Sequence, residues 1–328
     1  MVHRLGDEGG DPIPPLKAVM IFPEEDIPLR ALDRLPFAGS ARARVESVVL
    51  GLVSGGGGPV MDFLSPPGDP GLFGPEAVCW RVHADFTSMM VGGISALLLQ
   101  MLHPLALAGV IDHSNFRTDM VGRLRRTATF IAGTTYGNRK DAERLLERVR
   151  KVHRTVVGTA PDGRAYAAFD PDLLTWVHVA EVDSFLRAYL LYIEPGLSLA
   201  EQDRYYDETA RVAEALGARD VPRSRAAVAA YFDAVRPQLA VTERTREVTR
   251  LLIDAPAPSQ AARVAGKVFM AAGIDLLPAF AQELCGYDTL AALRGPAAVA
   301  GVRAIGPLLR WGLRYGSASK ARQRCRAD

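Results

Sequence analysis

Cysteine is scarce in this chain of 328 residues: Cys79, Cys285 and Cys325 stand far apart and form no Cys-x-x-Cys. That excludes a disulfide scaffold and a cysteine-based zinc site. Aromatic residues make up only 7% of the chain, and no run of alternating β-branched residues appears, so an all-β fold is excluded. A surplus of one charge is missing too: 39 Lys and Arg against 37 Asp and Glu leave +2, too little for the positive field of a nucleic-acid-binding domain. No His-Glu-x-x-His links any of His3, His83, His103, His113, His153 and His178, which removes the zinc hydrolases. Pro59, not Gly-Lys-Ser/Thr, follows the run Gly55 to Gly58, which therefore reads as a linker and not as a phosphate cradle. The opening MVHRLGDEGGDPIPPLK has acids and prolines where a secretory signal needs apolar residues, so the expected location is cytoplasmic.

What is abundant is helix-forming and apolar: 48% of residues are hydrophobic, with Ala, Leu, Arg and Val dominant. The expectation is an all-α protein with one large helical domain over residues 41–295. An irregular, proline-rich arm precedes it (1–40), and an amphipathic helix with a basic tail follows (296–328). The longest apolar run, Phe86 to Ile111, carries no Asp, Glu, Lys or Arg and has the length of a membrane span. Gly92-Gly93, Gln100, His103 and Pro104 interrupt it, so it reads as a helix or helix pair buried in a soluble protein.

Further helices follow from local signals. A loop from Pro66 ends at Pro75 in a first helical turn, and Arg139 to Val157 is stopped by Gly158. Asp170-Pro171 opens a helix to about Ile193, and the capping box Ser198-x-x-Glu201 opens another that closes near Gly217. Arg223 to Leu252, Ser259 to Ala272 and Ala297 to Tyr315 complete the set. After Arg303 the tail is rich in arginine; it reads as a solvated, frayed end or as a dock for an acidic partner or anionic lipid.

On the Arg139 to Val157 helix, Ala142, Leu146, Val149, His153 and Val156 recur at steps of four and three, which aims the imidazole of His153 inward. Such a residue is either a hydrogen-bonded core histidine or a ligand facing an apolar cavity, and composition does not decide between them. Arg123 and Thr127, in MVGRLRRTATF, share a helical face, with Arg126 nearby and Asp119 one turn earlier. They read as a surface basic helix with an Asp119–Arg123 pair, or as donors to a bound oxygen species or substrate anion. His103, His113 and His178 read first as structural hydrogen-bonding groups, and Asp112 and Asp119 as loop and cap residues.

Several motifs stand in order: LLLQMLHP from Leu97, GVIDHSNFRTDMVGRLRRT from Gly109, VRKVHRTVVG from Val149, GRAYAAFDPDLLTWVH from Gly163 and LSLAEQDRYYDE from Leu197. Together, over roughly Val78 to Pro237, they resemble the catalytic-domain family of MpaB-type oxygenases and latex-clearing rubber oxygenases. The resemblance implies a globin-like helical core around haem b, with His153 as proximal iron ligand and Arg123 and Thr127 on the distal side. Arg126 stands where rubber oxygenases carry a lysine. No residue matches their glutamate base, since the nearest upstream acids are Asp112 and Asp119, so polyisoprene cleavage is not expected.

The implied function is a haem b-dependent oxygenase or peroxygenase that uses molecular oxygen or peroxide on a small to medium apolar substrate. Its cavity wall would draw on Met89, Leu97 to Leu99, Leu102 and Phe130. One rival is a non-catalytic helical protein that binds a lipid or hydrophobic metabolite. Another is a peripheral membrane protein docking through Trp311, Leu313 and the basic tail.

Overall fold

Capping residues set where the helices of this chain begin, and prolines set where several end. The computed structural model describes residues 61–114, 119–255, 257, 259–313 and 316–326, together with residues 39, 40 and 43. The expected N-terminal arm and the four-glycine run lie outside the described residues, except that residues 39, 40 and 43 are helical.

A short helix α1 (Val78–Val82) leads to α2 (Phe86–Gln100), capped by Asp85, and α3 (Pro104–His113), opened by its proline. Next come α4 (Met120–Tyr136) and α5 (Arg139–Thr155), joined through Gly137 and Asn138. A two-stranded hairpin of β1 (Val157–Thr159) and β2 (Ala165–Ala167) separates them from α6 (Pro171–Tyr192) and α7 (Leu199–Leu216). The rest is α8 (Arg225–Val235), α9 (Glu243–Ile253), α10 (Gln260–Asp275), α11 (Ala279–Cys285), α12 (Ala291–Gly312) and α13 (Ser317–Arg326). The protein is all-α, with that small hairpin as the one sheet among the described residues.

The apolar run divides into α2 and α3, bent by 104° at the break before Pro104, and among the described residues no single helix is long and apolar enough to cross a membrane. Gly92 does not break α2. It lets α2 lie against α6, since a Cβ there would stand 2.9 Å from the Ser184 carbonyl oxygen and 3.0 Å from Phe185 Cα. Around this contact lies the core, with Trp80, Leu99, Leu102, Trp176 and Leu186 almost without exposure. Each such side chain contributes about 1.5–3 kcal/mol by leaving water. The α6 and α7 caps are as expected: Asp170 accepts from the amides of Asp172 and Leu173, and Ser198 and Glu201 form a reciprocal capping box.

Five expectations need correction. Gly158 does not stop a helix: α5 ends at Thr155, and Gly158 pairs with Tyr166 in the β1–β2 register, a nonlocal partner that local signals do not reveal. Arg223 to Leu252 is not one helix, because Pro237 diverts the chain into a 3₁₀ turn (Arg236–Gln238) before Thr242 caps α9. Pro75 precedes α1 by three residues instead of opening it. Leu99 and Leu102 have no exposed surface and line no water-accessible cavity, and Leu98 is 4% exposed in the same core cluster.

The tail, finally, is not a frayed end. α12 runs across position 296 and packs on α10 and α2, with Trp311 buried. On α13, Arg324 is buried and donates to the carbonyls of Asp69 at 2.8 Å, Phe63 at 3.2 Å and Gly137 at 3.4 Å.

Candidate functional site

The α4–α5 pair is a helical hairpin closed tightly at one end. Asn138 accepts from the Asp141 amide at 2.9 Å to cap α5 and donates to the Ser65 carbonyl at 2.9 Å. Just above the turn Gly133 lies against Leu145 and Met61, with no room for a side chain. Arg123 and Thr127 sit on α4 and His153 on α5, all roughly three to four turns from the connection. Antiparallel pairing therefore brings the three to the same, open end of the hairpin.

His153 is half-buried in the seam that the periodicity indicated, between half-buried Val149 and Val156 and beyond buried Ala142 and Leu146. Its Nδ1 is buried without a hydrogen-bond partner. Burial lowers its pKa, so the imidazole is neutral at neutral pH. Nearby, Leu124, Val152 and Val157 are exposed apolar side chains (44%, 53% and 49%) at this end.

Arg123 does not pair with Asp119. Its Nη1 donates to Ser114 Oγ at 3.1 Å, and Ser114 in turn donates to the Val110 carbonyl at the end of α3. Burial first and Arg126 second push its pKa down to about 10, so it keeps its charge in a costly place. Asp119 instead caps α4 through the Gly122 amide at 2.9 Å and pairs with exposed Arg126 at 3.2 Å. Thr127, one turn beyond Arg123, is exposed.

The other singled-out residues are mostly structural. Asp112 accepts from Tyr166 OH at 2.9 Å and pairs with Arg244 at 3.2 Å, which fastens α3 to β2 and α9. His113 Nε2 contacts the Val157 carbonyl at 3.0 Å. His103 is buried beside Trp176, with Nε2 3.4 Å from Gln238 Oε1. His178 is buried on α6, and its Nε2 has no partner. Among the described residues no three His, Cys, Asp or Glu side chains cluster as a metal cage; a porphyrin iron needs only one such ligand from the protein.

Two groups escaped the sequence reading. Glu181 lies one turn after His178, and burial pushes its carboxyl up to about 7. The signal was present, an acid inside the apolar stretch WVHVAEVDSF. His83 is bracketed by Thr135 and Tyr205, both at 2.9 Å, and nothing in its sequence neighbourhood marks it.

Comparison with known proteins places these residues in a family. Residues 80–311 match the family described as ER-bound oxygenase mpaB/B'/Rubber oxygenase, catalytic domain. Two curated relatives, the uncharacterized proteins Mb2261 of Mycobacterium bovis and Rv2237 of Mycobacterium tuberculosis, are each 28% identical over 166 residues. That match covers 50% of this chain and 60% of each relative. No solved structure matches. The family match spans well over half of the chain and contains the whole α4–α5 hairpin, so this protein belongs to the mpaB/rubber oxygenase catalytic-domain family.

Proposed function

We propose that the chain is a haem b-dependent oxygenase or peroxygenase with a globin-like core, acting on a small to medium apolar substrate. His153 is the proximal iron ligand, and Arg123 and Thr127 stand on the distal side. The observation that carries this reading is the half-buried His153 at the open end of the hairpin, whose buried Nδ1 has no hydrogen-bond partner among the described residues.

The residues present fit the group. A ligating imidazole must be unprotonated, and burial keeps His153 neutral. Exposed Leu124, Val152 and Val157 offer the apolar surface that a porphyrin covers. When bound, haem b supplies the oxygen and one-electron chemistry.

The remaining work falls to the chain. Among the described residues Arg123 bonds a neutral hydroxyl and no carboxylate, and a guanidinium so placed can donate to an electronegative oxygen. Thr127 adds a hydroxyl donor one turn away. Arg126 is occupied by Asp119 and holds the start of α4 in place.

The test is a spectrum of purified protein with haemin added. A Soret band is expected, and His153→Ala should abolish it. No Soret band in the parent, or an unchanged spectrum in His153→Ala, overturns the reading. The rival, a carrier of a lipid or hydrophobic metabolite, instead yields an apolar co-purified ligand and no iron.

A further inference from the structure

The chain turns sharply after α10, and the corner stays open. α10 and α11 meet at 111°, so that α12 packs along α10 but hardly on α11. Against α10 the approach is close: a Cβ on Gly301 would stand 2.8 Å from Val268, and one on Gly295 2.5 Å from the Asp275 carboxylate. Between the three helices lies a groove of about 800 Å³, broadly open to solvent. Small-molecule sites span roughly 300–1,000 Å³. None of the residues that line the groove is on α4 or α5, so its occupant does not depend on what the hairpin binds.

One wall of the groove is a single face of α12. Pro296, Val299, Ala300 and Arg303 stand at spacings of three and four along it. The first three are apolar; Pro296 and Ala300 are exposed and Val299 is half-buried.

The two ends offer opposite chemistry. At the Gly295 end, Gln282 donates through Nε2 to the Asp275 and Leu277 carbonyls, both at 2.9 Å, which leaves its oxygen for a ligand. Asp275 adds a carboxylate, 22% exposed and matched by Arg294 at 3.6 Å. That end accepts hydrogen bonds and is close to neutral. At the other end exposed Arg303 donates to the Leu191 carbonyl at 3.4 Å, and no carboxylate pairs with it among the described residues. About 12 Å of helix separates Gly295 from Arg303. A lone surface arginine is simply solvated; Arg303 differs in that it closes an apolar groove whose far end accepts.

We propose that this groove binds a medium-chain aliphatic carboxylate that carries a hydroxyl at its far end. The carboxylate takes the Arg303 guanidinium, which matches it with two parallel N–H donors. The chain lies on Pro296, Val299 and Ala300, and the hydroxyl donates to the Gln282 oxygen. Charge sets the orientation: Asp275 repels the anionic head from its end. An alkyl cation is repelled by Arg303 and gains little at the opposite end, where Arg294 already neutralises Asp275.

Methyl NMR of the full chain with isotope-labelled valine reads the groove at Val299, with ω-hydroxydecanoate as the probe. A saturable shift of Val299 is expected. Its affinity should fall at least about tenfold in Arg303→Gln, and binding should be lost in Ala300→Trp, which fills the groove. Both positions are exposed, so both variants keep the fold, which the other valine signals check. Decanoate should bind more weakly than the hydroxy acid, and decanol and decyltrimethylammonium more weakly still. No saturable shift, the same affinity in Arg303→Gln, or equal binding of the alkyl cation overturns the proposal. Shifts confined to Val152 and Val156 place the probe at the hairpin and overturn it too. So does a Val299 shift that follows protein concentration without any probe, since a second copy then fills the groove.

Discussion

Arg310 Nε donates to Asp85 Oδ2 at 2.8 Å across 225 positions of sequence, while Oδ1 of the same carboxylate accepts from the Ser88 amide at 2.7 Å. One side chain thereby starts α2 and anchors α12 to it. The Asp85 carboxylate is 9% exposed and the Arg310 side chain 31%, so the pair is worth more than a surface bridge. Asp85→Ala should cost about 2–3 kcal/mol, adding a lost cap to a half-buried guanidinium left alone. Asp85→Asn keeps the cap and should cost about half as much. Urea midpoints of the two variants, and of Asp85→Ala combined with Arg310→Ala, check this; the double variant should lose less than the sum of the singles.

Adjacent glycines in α2 should respond in opposite directions to alanine. At Gly92 the added carbon meets backbone of α6 at 2.9 and 3.0 Å, whereas at Gly93 its nearest neighbour is Phe185 Cε1 at 3.9 Å. Gly92→Ala must push α2 away from α6 and should destabilise by about 1–3 kcal/mol despite better helix propensity. Gly93→Ala meets only ordinary contact and should stabilise by about 0.5–1 kcal/mol. Thermal melts of the two variants should shift to opposite sides of the parent.

Stability should peak near pH 6.5. The folded-state pKa of Glu181 is raised from 4.5 to about 7, so its contribution is full below 4.5 and falls as pH rises to about 7. Those of His83 and His178 are depressed from 6.5 to about 3 and about 4, so their contribution is present above 6.5 and is lost as pH falls. Between 4.5 and 6.5 two histidines outweigh one carboxyl, and only above 6.5 does Glu181 dominate. Glu181→Gln should therefore gain on the parent by roughly 3 kcal/mol between pH 4.5 and 7, read from urea denaturation across that range.

What the sequence disclosed was local. Asp170-Pro171 and Ser198-x-x-Glu201 set helix starts through their own backbones, so both were legible. His153 was legible because helical periodicity fixes the direction of a side chain. Gly158 was misread because its partner, Tyr166, belongs to a different strand. Arg324 looked like part of a solvated tail because the carbonyls it binds lie 187 to 261 positions away. His83 depends on Thr135 and Tyr205, which only the folded chain brings to it.

Arg324→Met should be among the costliest single changes outside the core. It strips donors from three carbonyls in one buried spot, at about 3 kcal/mol or more. Arg324→Lys should recover little, since an ammonium cannot reproduce the guanidinium fork. Hydrogen exchange should show the Gly137 turn losing protection in both variants.

That arginine also imposes a schedule on biosynthesis. Translation makes Gly137 187 positions ahead of Arg324, so the Gly137 end of the α4–α5 hairpin emerges long before the guanidinium that ties its carbonyl. A polypeptide halted after residue 313 lacks α13 and its arginine, and would leave that joint open to proteases and chaperones.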